Sequence, residues 1–563
     1  MNPKSDLFTK AYSLQQQNQL PQAIKLYETL LAQEPNHSQA LHFLGLAQAQ
    51  QGNLDKAICL LQKALNLKPN DESLHNNLAN AFKKNHQIDK AIEHYQRAIE
   101  LSPEYAQAHH NLAVVYAFQD DYNKALGHYR AAVHAAPDFA AAHFNLGLLL
   151  LKHQNLAAAK TQFKNVVTLC PNHLDANFYI GVLSLEENAL EEAKQAFEQV
   201  LQENSEHVEA LTNLGVIALK RQQGQIAIDY FTRALAFDNN HLEARNNLAA
   251  TFMHHDRFEN ALMHYDVLLK QDPHNIEYLY NSGVAQMALG HLSEAIIHFE
   301  DILKQNSKHF AALNNLAAIY IRLEDKEQAR QLLERSVAAN PKDKASQHML
   351  HALSKDELNP KACPEYASNL FNNYALYYDR HMTELLEYTL PQQIGQKLHQ
   401  LAIHEVGHAL DLGCGTGLSG VVLREISQQL TGVDISAKML AQAKTKGIYD
   451  HLIESELLHF LKKGKKGYGL ILAADVLPYF GELDSLFTQI TQNLTPNGYF
   501  IFTTEISHDK SWQLQSTARF SHQPDYIRTL CRKHELKLIA QEKVIARQQN
   551  RQALAEMLFV VQK

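Results

Sequence analysis

Residues Ala106 to Phe139 read AQAHHNLAVVYAFQDDYNKALGHYRAAVHAAPDF, two apolar stretches at helical spacing with a polar turn between them and a proline near the end. The same pattern recurs on both sides. Alanine stands at 23, 57, 91, 125, 159, 193, 227, 261, 295 and 329, always 34 residues apart. Twelve positions before each alanine lies a small residue: Ala11, Gly45, Ala79, Ala113, Gly147, Gly181, Gly215, Ala249, Gly283 and Ala317. Twelve positions after it come Pro35, Pro69, Pro103, Pro137, Pro171, Pro273 and Pro341, with Ser205, Asn239 and Ser307 in the remaining units. A pair of antiparallel helices explains the spacing, because small residues let the two helices approach and proline stops the second one. Each unit must bury its apolar face on the next, so ten units in a row predict an all-α array over residues 1–343. The stretch KDKASQHMLHALS after it offers a capping helix, and the two prolines of Lys355 to Glu365 predict a connection, so that cap and linker occupy 344–364.

The units resemble tetratricopeptide repeats. That resemblance implies a right-handed superhelix whose concave groove binds protein segments. One column carries asparagine at Asn77, Asn111, Asn145, Asn213, Asn247, Asn281 and Asn315, with Thr9, Phe43 and Tyr179 elsewhere. An amide both donates and accepts, so such a ladder would grip the main chain of an extended peptide without reading its side chains. The repeats of O-linked N-acetylglucosamine transferases are similar and are used that way. The alternative is that asparagine is common in this column and solvated.

Residues 365–563 read differently. A helical lead-in segment, 365–403, places Leu370, Phe371, Tyr374, Tyr378 and Met382 on one face, and Pro391 opens a second helix. Then ALDLGCGTGLSG, Ala409 to Gly420, runs from a buried strand into a turn with Gly413, Gly415 and Gly417 at every second position. A second strand ends on Asp434, 23 residues after Asp411. This is βαβ nucleotide-binding spacing, in which glycines admit a ligand to the main chain and the acid accepts bonds from ribose hydroxyls. The third glycine follows the second by two residues, where the dinucleotide fingerprint has three. DLGCGTG followed by GVDIS resembles the class I S-adenosylmethionine-dependent methyltransferases, and seven strands alternating with helices can be placed in the tail. Over nearly the whole chain the sequence resembles predicted bacterial methyltransferases with amino-terminal tetratricopeptide repeats, through FxxYAxxYDxH (Phe371 to His381), LAADVLPY and RFSHxxxY (Arg519 to Tyr526). The expected fold is therefore two-part, an all-α repeat superhelix followed by a Rossmann-like α/β domain with a seven-stranded sheet.

The resemblance implies S-adenosylmethionine as cofactor, with Asp411, Gly413, Cys414, Gly415 and Gly417 around its methionine part. It implies Asp434 on the ribose, Ile435, Glu456 and Leu457 at the adenine, and Ala473 and Asp475 beside the methyl group. Methyl transfer from a sulfonium needs mostly alignment, so no triad is required. Candidate bases are His522, Asp475, Glu505 and His381, and Tyr374 and Tyr378 are candidates to face the sulfonium. No metal site is expected.

Composition narrows the field. A net charge of −8 argues against general nucleic-acid binding. Five scattered cysteines without a Cys-x-x-Cys pair favour a reducing, cytoplasmic setting, and no apolar run reaches membrane-spanning length. Three functions compete: a methyltransferase whose repeats recruit a protein, a small-molecule methyltransferase whose repeats serve assembly, and a cofactor-binding scaffold without catalysis.

Overall fold

The computed structural model describes residues 3–354, 363–375, 378–464, 467–549 and 552–563. It divides into two compact units, Met1–Thr251 and Phe252–Lys563. The first is helical throughout, in pairs such as Ala106–Phe118 and Tyr122–Ala135. Local chemistry sets each boundary. Asp120 turns the chain with a φ of 62°, Asp121 caps the next helix by accepting from the Lys124 amide, and the helix ends at Ala135, with Ala136 as its cap before Pro137. The left-handed residue recurs in every repeat, as Asn18, Gly52, His86, Asp120, Gln154, Asn188, Gln222, Asp256, Gly290 and Glu324.

The small-residue column turns out to be coupled to a second position, sixteen residues on. Gly147, Gly181, Gly215 and Gly283 each lie under a fully buried ring, Phe163, Phe197, Phe231 and Phe299. Where the small residue is Ala11, Ala79, Ala113 or Ala249, the ring belongs to buried Tyr27, Tyr95, Tyr129 or Tyr265. Tyr27 donates to Gln15 Oε1 at 3.0 Å and Tyr95 to Asn80 Oδ1 at 2.6 Å, so these rings are held by their hydroxyls. Gly45 pairs with Leu61, and Ala317 stands where the partner position is Leu333. A methyl group at Gly181 would lie 2.7 Å from Phe197 Cε1. Gly181→Ala is therefore expected to cost about 1–3 kcal/mol by overpacking. Adding Phe197→Leu, the combination of Ala317 with Leu333, should recover part of it, giving a coupling of about 0.5–3 kcal/mol in a denaturation double-mutant cycle. Strict additivity would mean that ring and glycine do not press on each other.

The second unit joins the last repeats, through helix Lys326–Ala339 and the cap Lys344–Ser354, to an α/β sheet. The cap does more than cover a repeat: His348 is buried against Tyr366 and Phe520, with its Nε2 3.0 Å from the Ala518 carbonyl. The strands are β1 (Val406–Leu412), β2 (Ser427–Asp434), β3 (His451–Glu454), β4 (Tyr468–Ala473), β5 (Leu494–Ile506), β6 (Trp512–Leu514), β7 (Phe520–His522), β8 (Lys537–Gln549) and β9 (Gln552–Gln562). Strands β3, β2, β1, β4 and β5 run parallel in that order, β9 lies antiparallel on β5, and β8 on β9. Among the described residues the sheet thus has nine strands, where the sequence pattern gave seven. The two additional strands are the short hairpin β6–β7, which pairs Glu505 and Ile506 beyond the point where β4 stops. Three-residue strands are too short to show an alternation in sequence. Among the described residues no helix is long and apolar enough to cross a membrane.

Candidate active site

The turn after β1 is built from inside outward. Gly413, Gly415 and Gly417 have φ values of 75°, 54° and 90°. Two of them make room for the protein itself: a Cβ would lie 2.5 Å from Val476 at Gly413 and 2.9 Å from Tyr449 at Gly417. Only Gly415 faces open space, with nothing within 4 Å of such a Cβ. Asp434, at the end of β2, is buried and accepts from Gly415 N and Ser436 N, both at 2.9 Å. Burial raises its carboxyl above the ordinary value. Glu456 caps the helix Leu457–Lys463, accepting from Leu458 N at 3.0 Å and His459 N at 2.7 Å.

These groups form one end of a cavity of about 940 Å³, lined there by Gly413, Gly415, Asp434, Ile435, Glu456 and Leu457. Asp411, Cys414, Gly417 and Ala473 do not line it. Asp411 lies buried behind the turn and takes the Tyr449 hydroxyl at 2.7 Å; burial pushes its carboxyl up to about 7. Burial likewise raises the Cys414 thiol, which favours the unreactive form.

The helical lead-in segment closes a second side of the cavity with Leu370, Phe371, Tyr378 and Met382. The Tyr374 side chain lies outside the described residues. The segment is pinned by the Thr416 hydroxyl on Asp379, by Lys446 2.7 Å from Asp379, and by Ser436 Oγ donating to Asn372 Oδ1 at 2.8 Å. A third side comes from the turn of the tenth repeat, through Ile321, Arg322, Glu324 and Lys326. Lys326 Nζ donates to Ser516 Oγ at 3.1 Å.

The lining also reaches a buried ionic cluster, through Asp475, Arg519 and Arg547. Asp475, at a φ of 58°, bridges two guanidiniums: it accepts from Arg547 Nη1 at 2.5 Å and from Arg519 Nη2. Glu505 lies 2.6 Å from Arg519 Nε. Burial alone would raise the Asp475 carboxyl, but the two arginines outweigh it and hold it well below the usual range. Burial, and then the charge of Asp475, push the Glu556 carboxyl above its ordinary range. Arg519 also stacks over the Tyr479 ring, 5.3 Å from its centroid. Of the candidate bases, Asp475 and His381 line the cavity. His522 does not: it is fully buried in β7, with Nε2 2.9 Å from the Gly481 carbonyl and its pKa lowered to about 4 by burial. That setting holds β7 against the Gly481 loop and offers no route to a proton on a ligand. Sequence reasoning had no sign of Arg547, Glu556 or the repeat turn, although Arg519 stands in the RFSH motif. Among the described residues no group of three or more histidine, cysteine, aspartate or glutamate side chains could hold a metal.

The asparagine column is half-buried or buried. Four amides reach the preceding repeat, 35 residues back: Asn77 Nδ2 to His42 Nε2 at 2.8 Å, Asn111 to Asn76 Oδ1 at 3.0 Å, Asn145 to His110 Nε2 at 2.9 Å and Asn315 to the Tyr280 hydroxyl at 3.3 Å. Asn213 instead donates to the Glu209 carbonyl of its own helix at 2.8 Å, and Asn247 and Asn281 are half-buried.

Comparison with known proteins finds repeats and a methyltransferase domain in this chain. A tetratricopeptide-repeat family matches residues 8–72, 112–173, 144–193 and 180–241, another matches 286–353, and a methyltransferase-domain family matches 410–502. The biotin biosynthesis bifunctional protein BioHC of Saccharophagus degradans is 26% identical over 24% of this chain and 24% of its own length. Ribosomal RNA small subunit methyltransferase C of Aliivibrio salmonicida is 31% identical over 17% of this chain and 31% of its own. The malonyl-[acyl-carrier protein] O-methyltransferase of Enterobacter lignolyticus is 25% identical over 19% and 41%. The chain thus spans less than half the length of each of these three relatives. The solved tetratricopeptide-repeat protein YrrB aligns with 33% of this chain and 95% of its own at 24% identity and a TM-score of 0.31. The chain is a tetratricopeptide-repeat protein that carries a methyltransferase domain.

Proposed function

We propose that this chain transfers methyl groups from S-adenosylmethionine to a polypeptide that its repeats bring to the site. The observation that carries the reading is the single cavity shared by the glycine turn, Asp434 and the tenth-repeat turn. The residues present fit the cofactor: a buried carboxylate at the end of β2, an exposed main chain at Gly415, and apolar Ile435 and Leu457 beside them. When bound, S-adenosylmethionine supplies a methyl group on an electrophilic sulfonium. Asp434 keeps a lone pair on each oxygen for ribose hydroxyls while its backbone bonds hold it still. Ile435 and Leu457 offer an apolar slot for the adenine, and Glu456, fixed as a helix cap, stands at its edge. The lead-in segment, pinned through Asn372 and Asp379, excludes water and presents Tyr378 to the cationic centre.

In the repeats, the amides at 77, 111, 145 and 315 each give one N–H to the preceding repeat, and the carbonyl oxygens of 77, 145 and 315 are the groups that would accept from a peptide main chain. Asn213 is the cleanest position to test, since it bonds within its own helix. Tritiated methyl groups from the cofactor should appear on protein when the purified chain is added to a lysate of cells lacking it. Asn213→Ala should leave its Tm unchanged and raise the KM for that protein, with kcat preserved. Label found only on small molecules would favour the assembly role for the repeats.

A further inference from the structure

We propose that the methyl acceptor of this cavity is a carboxylate, and that Arg322 and Lys326 of the tenth repeat draw it in; the proposal rests on the transfer reading above. The charges along the cavity are sorted by position. Asp434 and Glu456 lie at the glycine-turn end, where a cationic donor is best held. On the rest of the lining, among the described residues, the cations are Arg322, Lys326, Arg519 and Arg547 and the carboxylates Glu324 and Asp475. The buried part is balanced, because Asp475 bridges both deep arginines and Glu505 meets Arg519 as well. The excess positive charge therefore sits on the repeat turn. Lys326 is drawn across to Ser516, on the loop that leads into β7, and Arg322 lies near enough to His381 to add to the effect of burial in lowering that imidazole's pKa.

The same cavity also has apolar lining, with Ile321, Leu370, Phe371 and Leu386. An acidic group on an apolar or aliphatic stem matches this surface. A lysine ammonium does not: it would meet the excess positive charge of the repeat turn and would have to lose a proton before reacting. A carboxylate arrives already deprotonated. One of its oxygens forms the C–O bond of a methyl ester as the donor's sulfur–methyl bond breaks, the electron pair of that bond stays on sulfur, and no proton has to leave. His381 and Asp475 are then needed for placement and field, not as bases.

The test uses the full chain, S-adenosylmethionine tritiated on the methyl group, and a lysate of cells lacking the protein. Protein and small-molecule fractions are separated and treated with mild alkali, which releases methyl esters as volatile methanol and leaves N-methyl groups and ethers intact. Alkali-labile label is the expected result; in the protein fraction it identifies polypeptide carboxyls, in the other fraction a free acid. Alkali-stable label overturns the carboxylate while leaving the transfer reading in place, and no label in either fraction removes both. The repeat turn has its own arm. The double variant Arg322→Glu, Lys326→Glu should lower the rate at dilute acceptor by about tenfold or more, an effect that shrinks at high acceptor and high salt. Its affinity for S-adenosylhomocysteine and its Tm should be unchanged, and the conservative pair Arg322→Lys, Lys326→Arg should behave as wild type. Equal rates in the charge-reversed variant would overturn the role of the turn.

Discussion

Asp475→Ala is expected to destabilise the second unit by about 3–5 kcal/mol, the cost of removing one partner from a buried charge group. The carboxylate bridges Arg519 and Arg547, whose side chains are 12% and 9% exposed, so neither guanidinium can turn to bulk water when it is lost. Glu505 would still hold Arg519 through Nε, and Arg547 would be the group left stranded. Asp475→Asn keeps the shape and one acceptor, and should fall between the two. The pH dependence has a definite sign. A carboxyl whose folded pKa is depressed gives stability that is present above its unfolded value, about 3.9, and that disappears as the pH falls towards the folded value. The gap between wild type and Asp475→Ala should therefore be constant from neutral pH down to about pH 5 and narrow below about pH 4. Denaturant unfolding at several pH values measures it. A loss under about 1 kcal/mol at neutral pH would mean that the cavity hydrates both arginines as well as Asp475 does.

Asp434→Ala should weaken binding of S-adenosylhomocysteine by about tenfold to a hundredfold, since bonds that involve a charge are worth roughly 1.5–3 kcal/mol. The loss has two parts. The carboxylate is the group proposed to hold the ribose, and it also fixes Gly415 N and Ser436 N, the backbone that shapes this end of the cavity. Glu456→Gln gives the contrast, because an amide oxygen can keep one of the two helix-capping bonds and the helix should survive with a smaller loss. Calorimetric titration decides between them. Equal affinity in wild type and Asp434→Ala would remove the cofactor assignment, whatever became of the stability.

How much of this was legible in the sequence follows from how local each feature is. The 34-residue period needs only short-range spacing, and the central strands β4 and β5 carry the apolar runs LILA and YFIF, so repeats and sheet core were readable. The hairpin β6–β7 was not, because its strands are three residues long and borrow their edge from β5. The glycine turn was half readable: its conformation follows from the residues, but Gly413 and Gly417 serve Val476 and Tyr449, which only the folded chain brings to them. The same limit hid the ionic cluster, whose members come from β5, the β6–β7 turn, β8, β9 and the loop after β4. Nothing in Ile321 to Lys326 sets that turn apart from the nine before it; what distinguishes it is the cavity beside it. His522 was attractive as a base because histidine titrates near neutrality, and burial removes that property.

The pairing of small residue and ring also bears on how such an array gains or loses units. Unequal crossing-over between copies of a repeat joins the front of one to the back of another, and the two coupled positions lie sixteen residues apart inside each copy. Exchange among the three consecutive units with Gly147, Gly181 and Gly215 always reunites glycine with phenylalanine, wherever the break falls. Exchange between the unit of Ala113 and that of Gly147 is different: a break between the coupled positions yields alanine under phenylalanine, with the overpacking cost of about 1–3 kcal/mol, or glycine under tyrosine, with a void. Units of one kind are therefore free to multiply as a block, and the border between blocks is where recombinants are selected against.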